Sequence, residues 1–272
     1  MTSLEIQFAR PQSQDPYWLN MKELPYFRAL LRAVEAREYQ DIPLEMPILD
    51  LGCGDGHFVT TAFDSPIDVG LDPWKGPLRQ AAKRSSYGQV VHGQGAHIPF
   101  PDGYFHSAMS NSVLEHIADL DPVLKETARV LMQGANFVFC VPNHRFLENL
   151  SISTFFTRIG LKRLAGAYRN FFNRISRHHH CDNCDAWQER LERAGFVIEK
   201  QWDYFSPSAT HVLEWGHYFG LPSLVMHFLF RRWIVAPAKW NLVLTRRITE
   251  KYYRENRQQP LGSYSFYITR KV

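Results

Sequence analysis

Two spacings of apolar residues alternate along this chain. Short runs of Val, Ile, Leu and Phe read as strands at Pro47 to Leu51, Ile67 to Asp72, Gln89 to His92, Phe105 to Ser110, Asn136 to Val141, Val197 to Tyr204 and Ser263 to Arg270. Between them, apolar residues recur every three or four positions. Glu23 to Gln40 carries Phe27, Leu30, Leu31 and Val34 on one helical face. Helices are also expected over Leu78 to Arg84, Asp121 to Met132 and Asp185 to Ala194. Asp185 is read as a cap, with Gln188 three residues later completing a capping box, and Gly195 as the stop. Strand alternating with helix predicts an α/β fold: a doubly wound, Rossmann-like, seven-stranded and mostly parallel sheet with helices on both faces. Two long stretches break the rhythm. They predict helical insertions at 145–184 and 206–261, forming a cap over the substrate, and residues 1–45 are read as an N-terminal helical segment of one domain spanning 1–272.

Bulk composition narrows this only a little. Hydrophobic residues make up 45% of the 272 positions, enough for a substantial core. A net charge of +4 is too small to imply a nucleic-acid partner. Two of the four cysteines, Cys53 and Cys140, fall in a loop or strand context and Cys181 and Cys184 lie close together, which suits a reducing compartment better than a disulfide framework. Met1 to Gln14 has no apolar targeting core, and the longest apolar stretch, Leu221 to Ala238, is interrupted by Arg231 and Arg232. These features predict a cytoplasmic protein.

The chemistry begins at Pro47-Ile48-Leu49-Asp50-Leu51-Gly52-Cys53-Gly54-Asp55-Gly56, a buried strand that ends in an acid and opens into a loop with glycine at alternate positions. Glycine lets such a loop turn tightly and brings backbone close to a ligand. Ligands of open α/β sheets bind beyond the carboxyl ends of the strands. Asp72 ends the second strand about 20 residues after the loop, where a carboxylate accepts from ribose hydroxyls. Trp74 offers a ring for the adenine face. The dinucleotide spacing would want glycine at position 57, which is His57. The Gly-x-Gly-x-Gly spacing favours S-adenosylmethionine over NAD.

Asp50 to Gly56 resembles the first motif of the class I S-adenosylmethionine-dependent methyltransferases. Further segments match that family in order: His97-Ile98-Pro99-Phe100-Pro101-Asp102 is similar to its Leu-Pro-Phe segment, Asn111-Ser112-Val113-Leu114-Glu115-His116 to its fourth-strand exit, Arg129-Val130-Leu131 with Gly134 to its glycine turn, and Ala194-Gly195-Phe196 to its late turn. The resemblance covers about Pro47 to Phe205 and the final strand. It implies that Asp50, Gly52, Cys53, Gly54 and Gly56 hold the methionine end of the cofactor, that Asp72 holds the ribose, and that Asn111 lies near the sulfonium through its backbone. Gln94, beside Gly95, stands where the family has an aspartate for the adenine amino group, and glutamine keeps an acceptor there. Two departures, His106 after Phe105 and Gln133 for a common proline, affect local geometry more than chemistry.

Methyl transfer needs a nucleophile aligned with the carbon–sulfur bond and, for a hydroxyl acceptor, a base. The candidates are His116, His144 and the run His178-His179-His180. His144 ranks first as the residue just past the fifth strand, with loop solvation as its alternative role; His116 has a structural alternative, and no base is assigned. The segment His178 to Cys184 contains a Cys-x-x-Cys pair with histidines nearby, but no second pair completes a zinc tetrahedron, so no metal is expected.

The insertions must choose the acceptor. Ser151 to His180 holds six basic residues, no acid, and a series of apolar ones including Phe155, Phe156, Leu164 and Phe171. It reads either as a lid helix or as a peripheral contact with an anionic membrane at its inner face. Val212 to Trp240 is richer still in Trp, Phe and Leu. Together they favour a small-molecule acceptor that is apolar or lipid-linked, methylated on oxygen or carbon. An RNA or protein acceptor is the alternative within the same chemistry. An NAD-dependent oxidoreductase and a non-catalytic cofactor-binding protein are the alternatives of another class. DNA is not expected, because Ser110-Asn111-Ser112-Val113 lacks the Asn/Asp-Pro-Pro-aromatic segment of amino-methylating enzymes.

Overall fold

The computed structural model describes residues 13–230 and 232–272. The reading of residues 1–12 as free of a targeting core, and that of Arg231, lie outside the described residues. Strands β1 (Ile48–Leu51), β2 (Ile67–Asp72), β3 (Tyr87–His92), β4 (Phe105–Asn111), β5 (Leu131–Pro142), β6 (Phe196–Tyr204) and β7 (Tyr264–Lys271) form one seven-stranded sheet in the order β3-β2-β1-β4-β5-β7-β6. The pairs among β1 to β5 are parallel, and β7 runs antiparallel to both β5 and β6. This is the Rossmann-like architecture predicted from the spacing.

Alternation along the strands feeds two cores, since successive side chains leave opposite faces. Ile48, Met109, Val138, Cys140 and Phe266 pack under the first set of helices: α1 (Pro16–Glu23), α2 (Tyr26–Glu38), α3 (His57–Ala62), α9 (Pro207–Phe219) and α11 (Lys239–Tyr253). Leu49, Leu51, Phe137, Phe139 and Val141 pack on the other face under α5 (Asp121–Val130) and α8 (Cys184–Ala194). Trp187 of α8 is fully buried there against Phe139 and Tyr267.

Several boundaries differ from expectation for identifiable reasons. The helix expected over Glu23 to Gln40 begins only at Tyr26, with α1 a separate helix before it, because Pro25 has no N–H to donate and holds Leu24 in an extended conformation (φ −116°, ψ 151°). The cap of α8 is Asn183, whose side chain accepts from Ala186 N at 3.0 Å; Asp185 lies inside the first turn, and Gln188 donates to Glu192 instead of closing a box. Gly195 does end that helix, at φ 89°. The turn expected at Gln133-Gly134 lies within the longer strand β5, where pairing to β4 slips between Phe105 and Ser107.

The insertions are helical. α6 (Ser151–Arg158) and α7 (Lys162–Ser176) follow β5, while α9, α10 (Leu221–Phe230) and α11 fill the connection between β6 and β7. Among the described residues no helix is long and apolar enough to cross a membrane.

Candidate active site

Strand β1 ends at Leu51, and the glycine loop turns above it. Gly52 N and Cys53 N both donate to Leu71 O, at 2.8 and 3.1 Å, which ties the loop to the end of β2. Gly52 has φ +83°, and a Cβ there would lie 2.4 Å from Val113 Cγ1. Only glycine satisfies both the left-handed backbone and that close approach. Gly54 also has positive φ, but nothing lies within 4 Å of its missing Cβ, so open space stands over the loop at this point.

Two acids flank the loop. Asp72 is buried; its carboxylate accepts from Gly54 N at 2.9 Å and from Trp74 N at 2.8 Å. It therefore shapes the loop, and each oxygen keeps a further lone pair for a ribose hydroxyl. Asp50 is buried beneath the loop and accepts from Tyr87 Oη at 2.6 Å. Burial pushes its carboxyl up to about 7, against the lowering effect of the Tyr87 hydrogen bond and with a smaller push from Asp72. A cationic ligand group would restore its charge. Trp74 is 70% exposed, a ring with one face free at the edge of this region. Gln94 is exposed in the following loop, its backbone carbonyl accepting from His97 N, and Gly95 lies so close to Val123 and Leu51 that a Cβ would meet Val123 at 2.9 Å.

Beyond β4 the chain builds the second half of the site. Asn111 is buried, and its amide does not face an open site: Nδ2 donates to Glu35 at 2.8 Å and Oδ1 accepts from Cys140 Sγ at 3.0 Å. Ser112, at φ +51°, donates to the other oxygen of Glu35 at 2.6 Å. Arg32 closes the group by donating to Glu35 at 2.6 Å. Glu35 on α2 thus holds the β4 exit in place, although nothing in its sequence context beyond a polar residue beside the apolar face of a helix marks it.

Next to this group lies a cavity of about 500 Å³. Its apolar wall comes from α2 and both insertions, with Phe27, Leu31, Phe146, Ile175, Leu224 and Trp233. Its polar end holds Ser112, Glu115, His116 and His178, with Arg28 and Arg177 beside them. Val113, which packs on Gly52, lies in the chain between Ser112 and Glu115 of this polar end. His144 is exposed and is not among the residues lining the cavity. Its side chain follows Asn143, the residue whose amide turns inward to Gly262 O and Ser265 Oγ. His116 and His178 hold the cavity positions instead. Burial holds His178 down to about 3 and also lowers His116, so both rings are neutral near pH 7. Burial pushes Glu115 up to about 8.

Comparison with known proteins agrees with this layout. Residues 49–139 match the methyltransferase domain family. An uncharacterized methyltransferase of Mycolicibacterium gilvum is 34% identical over 92 residues, 33% of this chain and 36% of that protein. A demethylmenaquinone methyltransferase of Bacillus licheniformis is 32% identical over 108 residues, 37% of this chain and 47% of that protein. The chain thus spans half or less of the length of these curated relatives. Among solved structures, a SAM-dependent methyltransferase from Thermotoga maritima superposes with a TM-score of 0.52 at 15% identity, covering 90% of each chain, which shows a shared fold. With the glycine loop, its two acids and the β4 exit in the order that the family has them, residues 49–139 carry a methyltransferase domain of the class I S-adenosylmethionine-dependent type.

Proposed function

We propose that this chain transfers a methyl group from S-adenosylmethionine to a small apolar or lipid-linked acceptor seated in the cavity beside β4. The observation that carries this reading is the cavity itself. It has an apolar wall, a polar end, and lining residues on either side of the one that packs on the glycine loop. Ligand pockets of this kind use the apolar lining for affinity and a few polar groups for orientation.

The sulfonium supplies an electrophilic methyl group when the cofactor is bound. The chain's own share is placement and proton control. Asp50, Gly52, Cys53, Gly54, Gly56, Asp72, Trp74, Gln94, Gly95 and Asn111 form the donor side. On the acceptor side, His116 Nδ1 donates to Arg177 O at 3.0 Å, which leaves Nε2 as an acceptor. Glu115 Oε2 is buried without a hydrogen-bond partner among the described residues. His116 Nε2 can take the proton of a hydroxyl seated there as the carbon–oxygen bond forms and the carbon–sulfur bond breaks. Arg28 and Arg177 favour an acceptor that also bears an anionic group.

Membrane contact belongs to the same proposal, in a shifted place. The basic stretch 151–180 exposes Phe155, Leu164 and Phe171, but the larger apolar exposure is on α9 and α10. Phe219 is 69% and Phe228 78% exposed there, beside Leu229 and Phe230. The arginines among the exposed apolar side chains of 151–180 suit an anionic lipid surface from which such an acceptor would enter, and α9 and α10 add apolar exposure without lysine or arginine of their own.

Two measurements test the proposal. Calorimetry should show binding of S-adenosylhomocysteine and none of NADH. Cell extract incubated with enzyme and S-adenosylmethionine should then yield a product heavier by one methylene that partitions into organic solvent. A methylated RNA, protein or polar metabolite in its place would overturn the acceptor class.

A further inference from the structure

The cysteine pair and the histidines do not gather into one cluster in the fold, although Cys181 Sγ lies 3.6 Å from His178 Nδ1. Cys184 starts α8, while His178 turns back toward the β4 exit. What assembles there is Glu115, His116 and His178, each with one ligand-type atom within 4.8 Å of the others. Four observations bear on this group. His116 Nε2 lies 3.7 Å from Glu115 Oε1, close to the roughly 3.4 Å between two ligands of a tetrahedral ion bound at about 2.1 Å. The Nδ1–H of His116 is committed to Arg177 O, the backbone partner that fixes the tautomer and aim of a metal-binding imidazole. Glu115 is 2% exposed, and its Oε2 has no hydrogen-bond partner among the described residues. A buried carboxylate oxygen left in this state is costly unless something else occupies it. Finally, the segment is held rigidly, since His179 N and His180 N both donate to Glu115 O, at 2.7 and 3.2 Å.

We infer that Glu115, His116 and His178 form a binding site for one divalent cation of the zinc class. Two imidazoles and one carboxylate with an open fourth position match catalytic rather than structural zinc sites. The open position faces the cavity, where Ser112 and the apolar wall leave room for an acceptor oxygen. Of the cations beside this group, Arg32 is paired with Glu35 at 2.6 Å, while Arg28 and Arg177 line the same cavity. The ion would lower the pKa of an acceptor hydroxyl and hold its oxygen, a role that rests on the methyl-transfer reading. The binding of the ion itself does not rest on it.

The test is metal binding to the full chain, purified without a histidine tag and stripped with chelator, in the absence of cofactor and acceptor. Cobalt(II) should bind at one equivalent and give the intense visible bands of four- or five-fold coordination, and zinc should displace it. Glu115→Gln and His178→Ala should each weaken binding by at least about 100-fold, beyond the 10–100-fold expected of outer-shell changes. Cys184→Ser should leave it unchanged. Retained circular dichroism and S-adenosylhomocysteine affinity would show that the variants fold. Absence of a stoichiometric site, or binding that survives both Glu115→Gln and His178→Ala, would overturn the inference. So would binding abolished by Cys184→Ser. Failure to bind S-adenosylhomocysteine would instead break the methyltransferase reading and leave the metal result standing.

Discussion

The two halves of the site are built in opposite ways. The donor half is a run of backbone: the glycine loop, its hydrogen bonds to Leu71 O, and Asp72 accepting from loop amides. Its parts come from neighbouring parallel strands close in sequence. The acceptor half is a collection of side chains from α2, the β4 exit, the segment after α7, and α9 with α10. Backbone conformation tolerates few substitutions, whereas a side-chain wall can be rebuilt in many ways. The donor half should therefore fail sharply when touched and the acceptor half by degrees.

The largest effect should come from Gly52→Val. It forces a β-branched residue to φ +83° with its Cβ 2.4 Å from Val113. Strain and overpacking together cost about 2–5 kcal/mol. S-adenosylhomocysteine binding, followed by calorimetry, should weaken more than about 100-fold, with a matching fall in melting temperature. Retained affinity would mean that the loop is not specified by its backbone. Glu35→Ala comes next, because it leaves Arg32, Asn111 and Ser112 without their shared partner. Denaturant unfolding should show a loss of about 3 kcal/mol. The comparison sharpens if cofactor affinity falls much less than turnover.

A smaller effect is tied to pH. The folded pKa of Asp50 is raised to about 7 from 3.8, so the folded protein holds a proton that the unfolded chain releases. Its contribution is fully present below pH 4 and is lost as pH rises through 7. For the cofactor-free protein this amounts to roughly 2 kcal/mol between pH 5 and 7. Asp50→Asn should flatten that part of the stability profile, and an unchanged slope would show that Asp50 is ionised in the empty site. Smallest in stability is Phe228→Glu on α10, expected within about 0.5 kcal/mol because the ring is 78% exposed. Flotation with anionic liposomes at low salt should nonetheless drop severalfold; equal flotation would remove α10 from the membrane-facing surface.

The contrast also explains what could be read from the residues alone. Gly52, Gly54 and Gly56 announce their conformation by identity, and strands β1 to β5 by alternation, so the sheet and the donor loop were legible. Glu35 was not, because a lone carboxylate beside the apolar face of a helix looks solvated until β4 brings Asn111 and Ser112 against it. Nor was the pairing of His178 with Glu115, two residues far apart in the chain that meet only where α7 ends. His144 drew attention through its place after β5, but alternation along the chain sends its neighbour Asn143 inward and His144 out. The break at Pro25 was visible in the sequence and was overridden there by the apolar periodicity of Phe27, Leu30, Leu31 and Val34 that follows it.

The helices α9, α10 and α11 all lie within one connection, residues 205–263, between β6 and β7. Topologically this is the loop of a hairpin, since β6 and β7 pair along their whole length from Phe196↔Lys271 to Tyr204↔Tyr264. The entropy of closing a loop grows only with the logarithm of its length, so doubling it costs about 0.6 kcal/mol. Loop closure thus sets little limit on the length of the chain between these two strands, provided Ala209, Leu213 and Leu242 of α9 and α11 still cover the sheet. A lineage could explore new acceptors by editing a hairpin loop while the donor chemistry is inherited intact.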